Sequence, residues 1–256
     1  QEGLVVIDAG EGFQMRYSKQ RSRLKQENEP ALLRPNRIVA VALTHGHLDH
    51  TWGLLPFLQT LFLNGRKQPL TIYGPTSPEI LDELLTNGIQ APVPAATPAA
   101  ELLNQYRYWF SLGGTAGHLG YPIRWLLGDP QSGRWVEFAD NATSLVWHDS
   151  MPQPDAFASF RMDSIPTSHS VPSCAWQLSR KERKGVFDRD KATSAGLNQE
   201  QRKQLSEGIN VELENGDVLP ASQFRGPTRP ATSIVVSGDT AEQSIQPKSP
   251  VTVLVH

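Results

Sequence analysis

The apolar run Ile38-Val39-Ala40-Val41-Ala42-Leu43 stops abruptly at Thr44-His45-Gly46-His47-Leu48-Asp49-His50. That junction constrains the chain more than any other segment. The run reads as a β-strand. Residues 44–50 pack three imidazoles and a carboxylate into one turn of chain, although the whole sequence holds only 7 histidines. Imidazole nitrogen and carboxylate oxygen are both good zinc ligands. A strand ending in such a cluster reads as a metal-binding loop, and the chain as a metal-dependent hydrolase. The plainer alternative is a solvated polar loop.

Composition narrows the rest. The 256 residues fit one large α/β domain or two small ones. A hydrophobic fraction of 38% and a charged fraction of 20% fit a soluble globular protein. The net charge of −2 gives no global attraction to nucleic acid, so such a partner needs a local basic patch. Cys174 is the single cysteine, which excludes an internal disulfide and a cysteine-rich zinc site. It fits a reducing compartment, and the expected location is cytoplasmic. No stretch reaches the roughly 20 apolar residues that span a bilayer, so no membrane association is expected. The chain opens on Gln1-Glu2-Gly3 and enters a strand directly, which suggests no signal peptide and residues missing upstream.

Further strands are expected at Leu4–Ile7, Leu70–Tyr73, Ser233–Ser237 (of buried type) and Val251–Val255. Helices are expected over 13–28, over 53–62 with Leu54, Leu58 and Leu61 on one face, and over 78–86. Residues 90–98 are Ala/Pro-rich and read as loop. Residues 99–160 carry most of the tryptophans and read as hairpins or sheet edge. Residues 179–207 are charged and amphipathic at best. Asn215-Gly216 reads as a tight turn between two strands. Apolar runs thus end repeatedly at Asp8, His45, His169, Asp239 and His256. In layered α/β folds such strand ends collect functional sites.

These ends suggest a metal constellation. His45 and His47, two apart, can point the same way, and His169 would complete one ion's imidazoles. Asp49 and His50 can serve a second ion about 3.5–4 Å away, with Asp239 bridging the two. His118 and His148 read as structural.

With those residues in view, the chain resembles the metallo-β-lactamase superfamily and, within it, the ribonuclease Z branch of tRNA 3′-processing endonucleases. The likeness rests on Asp8-Ala9-Gly10-Glu11-Gly12-Phe13-Gln14, on Thr44 to His50 followed by Gly53-Leu54-Leu55, and on Ile72-Tyr73-Gly74-Pro75. It continues through His169-Ser170-Val171-Pro172-Ser173, Lys184-Gly185-Val186-Phe187-Asp188 and Ser237-Gly238-Asp239-Thr240. The resemblance implies a four-layer αββα sandwich spanning 1–256 as a single domain, incomplete at both ends. It implies an insertion-rich region at 90–160 and an exosite arm with a following hairpin at 178–230. It implies two zinc ions, with manganese or iron as substitutes: His45, His47 and His169 on one, Asp49 and His50 on the other, Asp239 between them. Asp49 would also accept the proton of the attacking water, and Asp8 would orient the cluster loop. The implied reaction is hydrolysis of a pre-tRNA phosphodiester, in a homodimer whose arms reach across.

The departures are specific. Leu48 stands where the family has glycine, and Asn198-Gln199-Glu200-Gln201-Arg202-Lys203 replaces a Gly/Pro-rich arm tip. Leu254-Val255-His256 aligns with the start of the family's His-Glu-Ala-Thr motif. The final zinc ligand is therefore expected beyond His256, in a longer protein. Two alternatives remain at this point: a small-molecule phosphodiesterase or arylsulfatase-like hydrolase on the same scaffold, and a catalytically degenerate tRNA-binding relative.

Overall fold

Alternation along the strands sets the layering. The computed structural model describes residues 3–29, 32–113, 116–139, 144–213, 215–241 and 245–256. Gln1 and Glu2 of the expected opening, and 114–115 and 140–143 of the 90–160 region, lie outside the described residues. Strands β1 (Leu4–Ile7), β2 (Ile38–Ala42), β3 (Leu70–Pro75) and β4 (Ile123–Gly128) lie side by side and parallel. Antiparallel β5 (Trp135–Ala139) and β6 (Val146–His148) extend the sheet.

Successive side chains point to opposite faces. Ile72, Trp125, Leu127 and Val136 face a helical layer. That layer comprises α1 (Phe13–Gln26), α3 (Leu54–Leu63), α4 (Pro78–Asn87) and α5 (Leu102–Ser111), with short α2 (Leu48–Thr51) and α6 (Ala116–Leu119) between them. Ala40, Ala42, Tyr73, Leu126 and Trp135 face the other way, onto a second sheet. That sheet begins with β7 (Phe160–Pro166) and β8 (Cys174–Arg180), whose Met162, Cys174 and Trp176 fill the space between the sheets.

Residues 180–232 form a separate compact unit. It holds α7 (Arg189–Ser194), α8 (Gln199–Glu207) and the antiparallel pair β9 (Val211–Glu212) and β10 (Val218–Leu219). Its own small core includes Ala192, Leu205 and Phe224. The chain then returns to the first unit through β11 (Thr232–Val236) and β12 (Val253–Val255), which pair in parallel. The order of the second sheet is β12-β11-β8-β7. The α/β class and the paired sheets of the expected architecture are present. No described helix is long and apolar enough to cross a membrane.

Two local expectations need correction, and a third segment, left without an element, gains one. Residues 99–160 are not hairpins alone: α5 forms there because Leu102, Leu103 and Tyr106 recur at helical spacing and are buried against the first sheet. Residues 179–207 hold the two short helices α7 and α8. Asp188 caps α7 through Lys191 N, and Asn198 and Gln201 form a reciprocal capping box on α8. The strand expected at Ser233–Ser237 is not buried on both sides, since Ile234 is 45% exposed.

Candidate metal centre

Strand ends bring the site together. β2 ends at Ala42, and Leu43 N donates to Tyr73 O (2.8 Å), holding the chain on course into the cluster. Trp176 Nε1 donates to Leu43 O (2.9 Å), and Cys174 N donates to Thr44 O (2.9 Å). The second sheet therefore braces the loop from its own side. Two glycines permit this closeness. A side chain on Gly46 would collide with the Ala100 carbonyl oxygen, and one on Gly238 (φ 61) would run into Thr44. After His47 the chain turns helical, so Asp49 and His50 occupy α2.

Asp8 organises the loop. Its backbone is left-handed (φ 55), an uncommon conformation that Asp and Asn tolerate. Its Oδ1 accepts from Thr44 N (2.7 Å) and its Oδ2 from Thr44 Oγ1 (2.8 Å). His50 Nδ1 lies 2.8 Å from Oδ2. A carboxylate only accepts, so His50 Nδ1 carries a proton, and in the neutral ring Nε2 is left with the lone pair. The same logic fixes His45. Thr44 Oγ1 gives its one proton to Asp8, so at 3.0 Å it meets His45 Nδ1 as an acceptor. His45 Nδ1 is then the donor, and Nε2 is again bare. Histidines anchored through one ring nitrogen in this way are typical of metal sites.

The free nitrogens converge. One group joins His45, His47 and His169, and a second joins His45, His50 and Asp239; within each, ligand atoms lie within 4.8 Å of one another. His47 Nδ1 and His169 Nε2 are 3.1 Å apart. Asp239 Oδ1 is 3.5 Å from His50 Nε2. Asp49 Oδ2 is 3.8 Å from the same nitrogen, and its side chain is 75% exposed. Asp49 therefore sits beside His50 but outside both groups, and Asp239 joins the second group but not the first. His256 lies outside both, its Nδ1 2.8 Å from Ser237 Oγ. His148 pairs with Glu137 at the sheet edge (3.1 Å).

Burial and hydrogen bonding move the two anchored imidazoles in opposite directions. Burial pushes His45 down to about 4, helped by the nearby His50, so the ring is neutral at ordinary pH. The hydrogen bond to Asp8 raises His50 above the usual histidine value. His45 Nε2 is buried and, among the described residues, has no hydrogen-bond partner. Buried polar atoms without partners are rare and costly. An imidazole lone pair stranded among three other imidazoles and a carboxylate fits a metal ion of the kind imidazole and carboxylate prefer.

The sequence pattern singled out Asp8, His45, His47, Asp49, His50, His169 and Asp239. It included Thr44 in the cluster motif but gave it no role of its own. It missed Gln105, whose Nε2 donates to Gly46 O, and that residue lies on a helix the pattern did not reveal.

Residues 1–131, which include Asp8 and the whole cluster loop, match the family model of the metallo-beta-lactamase superfamily. The chain belongs to that superfamily. Among its relatives, this metallo-β-lactamase-type chain is 26% identical to the ribonuclease Z of Prochlorococcus marinus (strain NATL2A), over 99% of this chain and 65% of that protein. It is 28% identical to the ribonuclease Z of Pyrococcus abyssi, over 99% of this chain and 64% of that protein. It thus spans about 65% of the length of the curated relatives it matches. Among solved structures, it is similar to that of human tRNase Z, short form, with 19% identity, 69% of this chain and 54% of that chain covered, and a TM-score of 0.34.

Proposed function

We propose that this chain carries the metal site of a zinc-dependent phosphodiesterase that cleaves tRNA precursors at the 3′ side, as the names of its ribonuclease Z relatives suggest. The observation that carries the reading is His45: a buried, neutral imidazole that belongs to both ligand groups and whose Nε2 has no partner among the described residues. In this reading His47 and His169 hold one ion with it, and His50 and Asp239 hold the other. A bound pair of divalent ions supplies a hydroxide at neutral pH and neutralises charge on the phosphate. Asp8 and Thr44 keep two imidazoles in the ligating tautomer. Asp49, exposed beside His50, is placed to take up the proton of the attacking water. The reading also takes 178–230, which overlaps the compact unit 180–232, as an exosite arm with its following hairpin, and includes a homodimer and a cytoplasmic location.

The test uses the purified protein with zinc or manganese, with and without chelator, on a 3′-extended pre-tRNA and on bis(p-nitrophenyl) phosphate. Chelator-sensitive cleavage of pre-tRNA leaving a 3′-hydroxyl is the expected result. Cleavage of the small ester alone would assign the site to a small-molecule phosphodiesterase. Absence of bound transition metal would remove the hydrolase reading.

A further inference from the structure

Next to the metal loop the surface turns apolar. Leu48, between His47 and Asp49, is 43% exposed, and Trp52, two residues after His50, is 64% exposed. Facing them, α5 carries Tyr108 (67% exposed) and Trp109, and Leu112 (72%) caps its C-terminal end. Together these side chains line a hollow of about 490 Å³, within the range of small-ligand sites. Large apolar side chains gathered on a surface mark a contact site.

Three features identify the occupant. First, the hollow is continuous with the cluster. Leu48 lies between two candidate ligands, and Gln105, which lines the hollow, donates from Nε2 to Gly46 O inside the loop. A phosphodiester held at the histidines would therefore lie beside this hollow. Second, the hollow is lined without any Asp, Glu, Lys or Arg, so it selects an uncharged group. Third, it offers the rings of Trp52, Tyr108 and Trp109, and bases stack on such rings with little regard to sequence. Gln105 Oε1 is buried without a partner among the described residues, an acceptor left over at the floor.

We propose that this aromatic hollow seats an unpaired base of the nucleotide adjoining the scissile phosphodiester. The inference rests on the phosphodiesterase reading and assigns that site a base-stacking subsite. The same surface would otherwise serve a second copy of the chain, which the test must separate.

The experiment measures binding without turnover. Fluorescently labelled tetra-adenylate, and the same strand with abasic nucleotides, are titrated against the protein in chelator by anisotropy. The expected result is at least tenfold tighter binding of the strand with bases, the size of a lost stacking contact. Trp52→Ala and Tyr108→Ala, both at exposed positions, should each bring tetra-adenylate close to the abasic value. Equal binding of the two strands, or unchanged base dependence in both variants, would overturn the proposal. So would a dimer in sedimentation that both variants dissolve without any base dependence. Hydrolysis of pre-tRNA or of bis(p-nitrophenyl) phosphate is measured separately on metal-loaded protein. Base-dependent binding without hydrolysis of either keeps the hollow and removes the phosphodiesterase reading; hydrolysis without base-dependent binding does the reverse.

Discussion

Asp8→Asn separates the charge of the loop's organiser from its shape. Asn tolerates the left-handed backbone at this position, so the path of the chain is not the variable. What changes is the hydrogen-bonding code. The carboxylate takes in three contacts, from Thr44 N at 2.7 Å, Thr44 Oγ1 at 2.8 Å and His50 Nδ1 at 2.8 Å. A carboxamide has one acceptor oxygen and a donor NH2. With the NH2 toward His50, Nδ1 must become an acceptor and the proton moves to Nε2, the nitrogen that faces Asp239 and Asp49. The pair is only 18–19% exposed, so solvent screens it weakly. A hydrogen bond to a charged group contributes about 1.5–3 kcal/mol, and the metal-free variant should lose roughly 2 kcal/mol on that basis. Loss of such an orienting partner typically weakens metal binding about 10–100-fold. The pH dependence has a sign. His50 is raised in the folded state, with Asp8 as the first cause, relative to an ordinary value of 6.5. Its contribution is therefore complete below about pH 6.5 and is lost as pH rises through the folded-state value. Urea unfolding of metal-free wild type and variant should differ more at pH 6 than at pH 9. Competition with a chromophoric chelator reads the affinity. A variant that binds metal within twofold of wild type, or whose stability deficit is the same at both pH values, would refute the tautomer argument.

His47→Ala should abolish hydrolysis and lower the bound-metal count while leaving the urea midpoint near wild type; full activity would take the cluster out of the mechanism. Glu101, 4% exposed at the start of α5, is held up to about 7 by burial, above its ordinary 4.5. The folded chain keeps that proton longer than the unfolded one, so stability falls as pH rises from about 4.5 to about 7 and is level above. Glu101→Gln should remove up to about 3 kcal/mol of that fall, read as the variant-minus-wild-type difference in unfolding free energy across pH 4.5–8; no change in that difference would refute it. Trp176→Phe removes the donor to Leu43 O between the sheets and should cost about 1–3 kcal/mol in urea unfolding. The Cys174 thiol is fully buried and its ionisation is pushed well up, so a thiol-specific chromogenic reagent should react only after denaturant is added.

The sequence was legible where one local rule dominated. β2 could be read because an apolar run stops at residues that no core accepts unpaired. α3 could be read because Leu54, Phe57, Leu58 and Leu61 keep helical spacing and are all buried. α5 was not legible because Tyr106, Tyr108, Trp109 and Phe110 also favour strands, and nothing local decides between the periods. β8 was hidden for another reason. Cys174-Ala175-Trp176-Gln177 has weak strand propensity, and it becomes a strand by burial between β11 and β7.

The site shows the same division on a finer scale. Spacing alone places His45 and His47 together, since residues two apart share a side of an extended chain. Spacing cannot show which groups gather around His45, because Asp8, His169 and Asp239 arrive from the ends of other strands. The structure makes one carboxylate the arbiter of two imidazoles: Asp8 fixes the tautomer of His50 directly and that of His45 through the Thr44 hydroxyl. Because His45 belongs to both ligand groups, the two groups are not independent. If each group holds an ion, as proposed, a change at Asp8 should therefore weaken both together, whereas a change at His47, which belongs to one group only, should weaken one. Metal titration of the two variants should show two sites lowered in Asp8→Asn and one in His47→Ala, and equal patterns would mean that Thr44 does not relay the tautomer.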